Sequence, residues 1–255
     1  MSCADESNDY WNYNDPSKWH EHFPSAGGFS QSPINIKSNE TVPQVYPAFS
    51  FSPNYTHQLL FTLTNNGHQV AVTQAAKSTS SQNQPDLWFT GGGLHGKFHF
   101  VNFHLHWGKN DRHGSEHEID GYRFPAEAHF VHKNLETKET AVFAFFFDIA
   151  SKHHHENVEW KKYADAASQL KNTGDTVDCT FHLSNLMQIE DRQYFRYTGS
   201  LTTPPCAEGV IWTIFFTVIP IAEKSLNELR QNVMRKVYRP VQPVNGRVIY
   251  RNYGH

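Results

Sequence analysis

Residues 98–107 read Phe-His-Phe-Val-Asn-Phe-His-Leu-His-Trp, and the alternation in this stretch decides the fold. In an extended strand successive side chains point to opposite faces, and residues two apart sit about 6.5–7 Å from each other on one face. Val101, Phe103, Leu105 and Trp107 then form an apolar face that anchors the strand in a core. Asn102, His104 and His106 line the other, so two imidazoles project side by side from a rigid mount. A His-x-His pair by itself is more often two solvated or satisfied histidines than a metal site. The stretch 126–132 adds the missing part: Glu127, His129 and Val131 share one face, and Ala128, Phe130 and His132 the other. Metal-bound histidines normally donate their second ring nitrogen to a carboxylate or carbonyl. Strand period alone sets Glu127 beside His129, and Asn102 beside His104, for that purpose. Three neutral imidazoles leave zinc its double charge and one open tetrahedral position, which lowers the pKa of bound water to about 7.

Working outward, β-branched and aromatic runs bounded by Gly, Pro, Asn and Ser recur at 57–64, 69–74, 97–107, 126–132, 140–148 and 210–219. They predict a mainly β (α+β) chain built on one large, mostly antiparallel sheet. Asn65-Asn66-Gly67 supplies the residue types of a tight hairpin turn between two of these runs. Helical periodicity is confined to 158–171 and 224–237. The aromatic but aperiodic segment 11–23 is expected to wrap the surface, 78–85 to be a solvated loop, and residues 1–9 to be an N-terminal tail. A length of 255 residues suits one domain.

Composition excludes several function classes. With 18% charged residues and a formal net charge of -3, there is no basic excess to hold a nucleic acid. No apolar run approaches the ~18 residues of a membrane span, and 141–149 reads as a buried strand. The opening MSCADESND lacks the apolar stretch of a secretory signal, which predicts a cytoplasmic protein, or a secreted one if a signal peptide has been removed. Cys3, Cys179 and Cys206 are too few and scattered for a disulfide framework or thiolate site. Among 17 histidines, His153-His154-His155 read as a solvated run rather than metal storage, and His20, His22, His95, His99 and His132 as structural or exposed.

Taken together, Gln31-Ser32-Pro33-Ile34-Asn35-Ile36, Asn65-Asn66-Gly67-His68, Phe103-His104-Leu105-His106-Trp107-Gly108, Gly114-Ser115-Glu116-His117, Ala126-Glu127-Ala128-His129, Ser200-Leu201-Thr202-Thr203-Pro204-Pro205 and Arg239-Pro240-Val241-Gln242-Pro243 resemble the α-class carbonic anhydrases from residue 11 to residue 247. Carbonic anhydrase is itself the reference case for the lowered pKa of zinc-bound water. The resemblance implies a single domain around a ten-stranded, mainly antiparallel twisted sheet with short peripheral helices, and one Zn2+ on His104, His106 and His129. It implies reversible hydration of carbon dioxide to bicarbonate and a proton, and binding of anion and sulfonamide inhibitors by a monomer. It assigns Thr202 to accept from the zinc-bound nucleophile while donating to Glu116, and His68 to shuttle protons through waters anchored by Tyr13, Asn66 and Thr203. Val131, Val142, Leu201 and Trp212 match the apolar wall where carbon dioxide rests, and His117 a position that supports the core.

The chain also departs from the family. Asn102 stands where Gln, one methylene longer, is usual, which predicts a longer or water-mediated bond to His104 and weaker orientation of that ligand, and Ala71 stands where a polar cleft residue is common. The stretches after His129 and before Arg239 are short, which predicts a more open cleft. Cys206 matches a position that in exported relatives pairs with a cysteine absent here from 23–30, which favours a reducing compartment, with a Cys3–Cys206 pair as the minor alternative. Asn39-Glu40-Thr41 and Asn54-Tyr55-Thr56 are formal glycosylation acceptors that point the other way. Two other readings are a catalytically silent carbonic-anhydrase-related binding domain, a kind that lacks a zinc histidine, and a histidine-rich mineral-associated protein, which predicts several metal ions per chain.

Overall fold

Ten strands follow one another across a single twisted sheet in the order Thr176–Phe181, Leu59–Asn65, Val70–Gln74, Leu94–Trp107, Ala126–Asn134, Thr140–Ile149, Glu208–Ile221, Tyr194–Ser200, Tyr250–Asn252 and Val42–Pro43. A computed structural model describes residues 11–75, 84–188 and 193–253 of the chain. The expected tail 1–9, Cys3 and most of the loop at 78–85 lie outside these. Two further strands, Phe49–Phe51 and Trp88–Gly91, join beside Leu94–Trp107 and bring the sheet to twelve. Pairing is mostly antiparallel, as expected. The parallel exceptions within it are Thr140–Ile149 with Glu208–Ile221 and Tyr250–Asn252 with Val42–Pro43. Asn35–Ile36 and Glu118–Ile119 form a separate parallel pair.

All six expected strands are present, with ends that differ from the expected ones by one to three residues, Leu59–Asn65 and Val70–Gln74 starting later and Leu94–Trp107 earlier. Asn65-Asn66-Gly67 does turn a hairpin, with Asn65 paired to Val70. Gly67 has φ of 87°, a left-handed conformation glycine adopts without strain. The strands Thr176–Phe181 and Tyr194–Ser200 escape the sequence pattern because Asp178 and Arg196 interrupt their apolar alternation.

The middle of the sheet is buried on both sides. In Thr140–Ile149, Ala141, Phe143, Phe145 and Phe147 enter one apolar cluster, whereas Val142, Ala144 and Phe146 enter another. Burial of each such phenylalanine contributes about 1.5–3 kcal/mol. A continuous apolar run, rather than an alternating one, is the sequence form of that double burial.

One expectation for the decisive stretch fails. Val101 is 43% exposed instead of sharing the core face with Phe103, Leu105 and Trp107. The pairing register with Ala126–Asn134 shifts between Phe100 and Asn102, a bulge that places one extra residue in the strand. Phe98 and Phe100 therefore pack into the same cluster as Phe103, Leu105 and Trp107, with the parity changed at Val101. The bulge leaves the alternation beyond it intact, so Asn102, His104 and His106 still share a face.

Helices are short and peripheral. Val158–Ala167 begins where the Asn157 side chain accepts from the backbone N–H groups of Glu159 and Trp160, and its inward face buries Trp160 and Tyr163. The second, Glu223–Asn232, ends five residues before the periodicity predicts. Beyond it, Val237 forms an antiparallel bridge with Trp107, so the chain is drawn into the sheet instead of continuing the helix. Among the described residues no helix is long and apolar enough to cross a membrane.

Candidate metal centre

Adjacent antiparallel strands bring the three histidines together. His104 stands opposite His129 in the register, and His106 opposite Glu127. His104, His106 and His129 are buried, and each offers one ring nitrogen such that all three lie within 4.8 Å of one another.

The other nitrogen of each ring is held. His104 Nδ1 meets Asn102 Oδ1 at 2.9 Å. The longer or water-mediated bond expected of the shorter side chain is not what the structure has: the asparagine reaches its histidine directly. His106 Nδ1 donates to the Val237 carbonyl at 3.1 Å, and His129 Nε2 to Glu127 Oε1 at 2.7 Å. Val237 is in place because its own N–H bonds the Trp107 carbonyl at 2.8 Å and the Trp107 indole donates to the Met234 carbonyl at 2.7 Å. Sequence reasoning missed this partner, since a backbone carbonyl brought in by a distant segment has no side-chain signature.

Held in this way, His106 is left with a buried Nε2 that has no hydrogen-bond partner among the described residues. A buried, unmatched nitrogen facing two more imidazoles is costly unless something binds it. Burial, with repulsion from the neighbouring histidines, keeps the pKa values of His104 and His106 well below the usual value, and burial likewise lowers that of His129. All three are neutral, the form that ligates a metal. The residues fit a zinc ion: three nitrogen donors, tied tautomers and an orphaned lone pair.

Behind this cradle lies a saturated polar cluster. Glu127 Oε1 also accepts from His117 Nδ1 at 2.7 Å, and Oε2 accepts the N–H groups of Glu116 and His117 at 2.9 and 2.8 Å. Burial pushes the Glu127 pKa up, but the flanking His117 and His129 outweigh it and hold the carboxyl well below the usual range. His117 Nε2 continues to the Tyr197 hydroxyl at 2.7 Å, which meets Ser32 Oγ at 2.7 Å. The expected supporting role of His117 thus has a physical form, a relay of hydrogen bonds between the cradle and the 31–36 motif.

Glu116 is fully buried, and Oε1 accepts from the Arg239 N–H at 2.7 Å. It reaches this place because the 108–114 loop doubles back tightly: a Cβ on Gly108 would sit 1.4 Å from the His113 carbonyl oxygen. Burial raises the Glu116 pKa to about 8, opposed by the Thr202 side chain and the Arg239 N–H. Thr202 is buried near it, although Glu116 Oε2 has no hydrogen bond of full geometry.

The apolar candidates form one patch. Val131 stands opposite Val142, and Val142 opposite Trp212, across three adjoining strands. Leu201 packs on the same cluster, and the Trp212 ring lies 4.8 Å from that of His129. At the outer end, Tyr13 is buried close enough to Glu116 for the carboxylate to add to the rise of its pKa, which burial dominates, and its hydroxyl has no partner among the described residues. His68, half-buried in the hairpin turn, stacks on Trp11 with ring centres 3.8 Å apart. Asn66 is exposed, and its Oδ1 is engaged by the N–H groups of His68 and Gln69. Thr203 is half-buried beside Thr202.

A sequence profile of the eukaryotic-type carbonic anhydrases matches residues 14–253. Among curated proteins, a putative carbonic anhydrase 3 of Caenorhabditis elegans is 34% identical over 94% of this chain and 96% of its own length. Carbonic anhydrase 3 of Homo sapiens is 31% identical over 96% and 97%, and carbonic anhydrase 6 of Mus musculus 36% over 93% and 78%.

Proposed function

The chain belongs to the eukaryotic-type carbonic anhydrase family, and from that premise we propose that it is an active zinc lyase, a carbonate dehydratase that interconverts carbon dioxide and bicarbonate. The observation that carries the reading is the trio of buried imidazoles, His104, His106 and His129, with one nitrogen of each tied back and the others within 4.8 Å. One zinc ion per chain, when bound there, supplies Lewis acidity and brings the pKa of a coordinated water to about 7.

The remaining work belongs to the chain's own groups. A Thr202 hydroxyl that donates to Glu116 has only lone pairs left for the site, so it fixes the direction of the attacking oxygen. This requires an ionised Glu116: burial raises its pKa to about 8, the Arg239 N–H pulls it back, and the positive charge of a metal bound nearby would lower it further. Val131, Val142, Leu201 and Trp212 give uncharged carbon dioxide a dry wall next to the metal, and weak binding there allows fast exchange. Each hydration releases a proton. His68 carries it outward, an imidazole being able to take and release a proton, with Tyr13, Thr203 and the amide of Asn66 as anchors for the connecting waters. Cys206, buried and unpaired among the described residues, is consistent with the cytoplasm as the compartment.

Stopped-flow hydration paired with zinc analysis tests the proposal. One zinc per chain and fast hydration are expected, with a loss of about 100-fold or more in Thr202→Ala. A fully zinc-loaded protein that hydrates no faster than buffer overturns the reading in favour of a silent binding domain.

A further inference from the structure

Phe195 stands opposite Arg251 where Tyr194–Ser200 pairs with Tyr250–Asn252. With Phe146 it belongs to the apolar cluster that Phe124, Phe216 and Ile119 partly cover. Phe124 stacks on Phe146 with ring centres 4.2 Å apart, and Phe216 lies against Phe195 at 4.5 Å. The two ring pairs leave a cavity of about 220 Å³ that Ile119, Ser38 and Arg251 also line. It shares no lining residue with the metal centre.

Arg251 brings the one charge to this lining. Its guanidinium carbon lies 4.5 Å from the centre of the Tyr253 ring, 5.0 Å from Phe216 and 5.8 Å from Phe195. Nε is buried and has no hydrogen-bond partner among the described residues. The terminal nitrogens of this half-buried side chain have no bond there either, but they are not buried, so a molecule in the cavity can reach them. The arginine ion pairs among the described residues are Arg123–Glu118 and Arg230–Asp111, which leaves Arg251 without one. Asp120 does feel its charge, and the Asp120 pKa is lowered first by bonds from Ser38 and least by Arg251. That carboxylate is committed to the Ser38 N–H at 2.8 Å and the Ser38 hydroxyl at 2.6 Å. A guanidinium keeps its proton, and ring faces attract it while accepting few of its hydrogen bonds. The cavity therefore combines aromatic walls with a fork of donors that no carboxylate engages.

We propose that this cavity binds a small aromatic carboxylic acid, its ring against the phenylalanine pairs and its carboxylate on the terminal nitrogens of Arg251. The planar fork matches two carboxylate oxygens, and a further ring gains stacked or edge-on contact with the walls. A phosphate dianion fits poorly, because one cation does not offset its desolvation beside four phenylalanines. A volume of about 220 Å³ falls below the roughly 300–1,000 Å³ of pockets for drug-sized ligands, which limits the ligand to about one ring. The inference does not rest on the proposed activity.

Sodium phenylacetate is the probe, titrated into the metal-loaded protein and read on the Ile119 δ-methyl resonance, which its loss in Ile119→Val assigns. A saturable shift is expected. Phenylacetamide, which has the ring without the charge, and acetate, which has the charge without the ring, should each bind about tenfold more weakly or worse. Arg251→Met should lower phenylacetate affinity to that of phenylacetamide. A carboxylate held at the metal acts on both proteins alike, so the difference between them reads the cavity. No saturable shift, an equal response in wild type and Arg251→Met, or acetate or phenylacetamide binding as tightly as phenylacetate overturns the proposal. Should Arg251→Met not fold, the comparison of the three ligands on the wild type decides by itself.

Discussion

His129 and His132 lie three residues apart on one strand, both fully buried, and their surroundings give them opposite roles. His132 points into the aromatic cluster, where Nδ1 donates to the Phe130 carbonyl at 3.1 Å and Nε2 meets the Tyr55 hydroxyl at 2.8 Å. Both nitrogens are matched, and burial takes its pKa down to about 3. His129 faces the other way. Glu127 holds one nitrogen, and the second converges with His104 and His106. Burial does not distinguish a ligand from a structural histidine here. The count of ring nitrogens left unmatched does.

The largest effect expected from breaking this contrast comes from His129→Ala, which removes one of three donors. Zinc content after dialysis against a mild chelator should fall from one ion per chain to near zero, and hydration with it. Retention of stoichiometric zinc would move the site elsewhere.

Glu127→Gln is the intermediate case. The amide replaces a carboxylate that accepts from four donors, so His129 loses its fixed tautomer. Zinc affinity, measured by competition, should fall about 10–100-fold, and stability by about 1–3 kcal/mol.

His132→Leu should leave zinc affinity unchanged, the smallest effect on the metal, while altering acid stability. With its folded pKa depressed to about 3 against about 6.5 unfolded, His132 is protonated by the unfolded chain first. Its contribution is therefore complete above pH 6.5 and lost as pH falls toward 3. Between these limits the wild-type curve should be steeper than the variant's by about one proton, or about 1.4 kcal/mol per pH unit. Equal slopes in urea unfolding at pH 4, 5 and 6 would show that His132 already accommodates a charge.

Much of the site was legible because strand period carries three-dimensional information. Asn102, His104 and His106 share a face, as do Glu127 and His129, and both orienting contacts proposed from spacing exist at 2.9 and 2.7 Å. The apolar patch was legible only in part. Spacing links Val131 to His129, but Val142 and Trp212 join them through pairing between strands distant in sequence. The Trp11 ring stacked on His68, the Val237 carbonyl on His106 and the Arg239 N–H on Glu116 gave no local signal at all.

Within an unbroken run the sequence by itself determined which side chains share a face, because the pleat repeats every two residues; this set the candidate metal ligands and the mainly β fold. Tertiary structure decided the rest: the bulge that turned Val101 outward and the bridge that ended the last helix and delivered Val237. These depend on which distant backbone or side chain arrives to satisfy a donor, and a hydrogen bond between residues more than a hundred positions apart leaves no period in the chain.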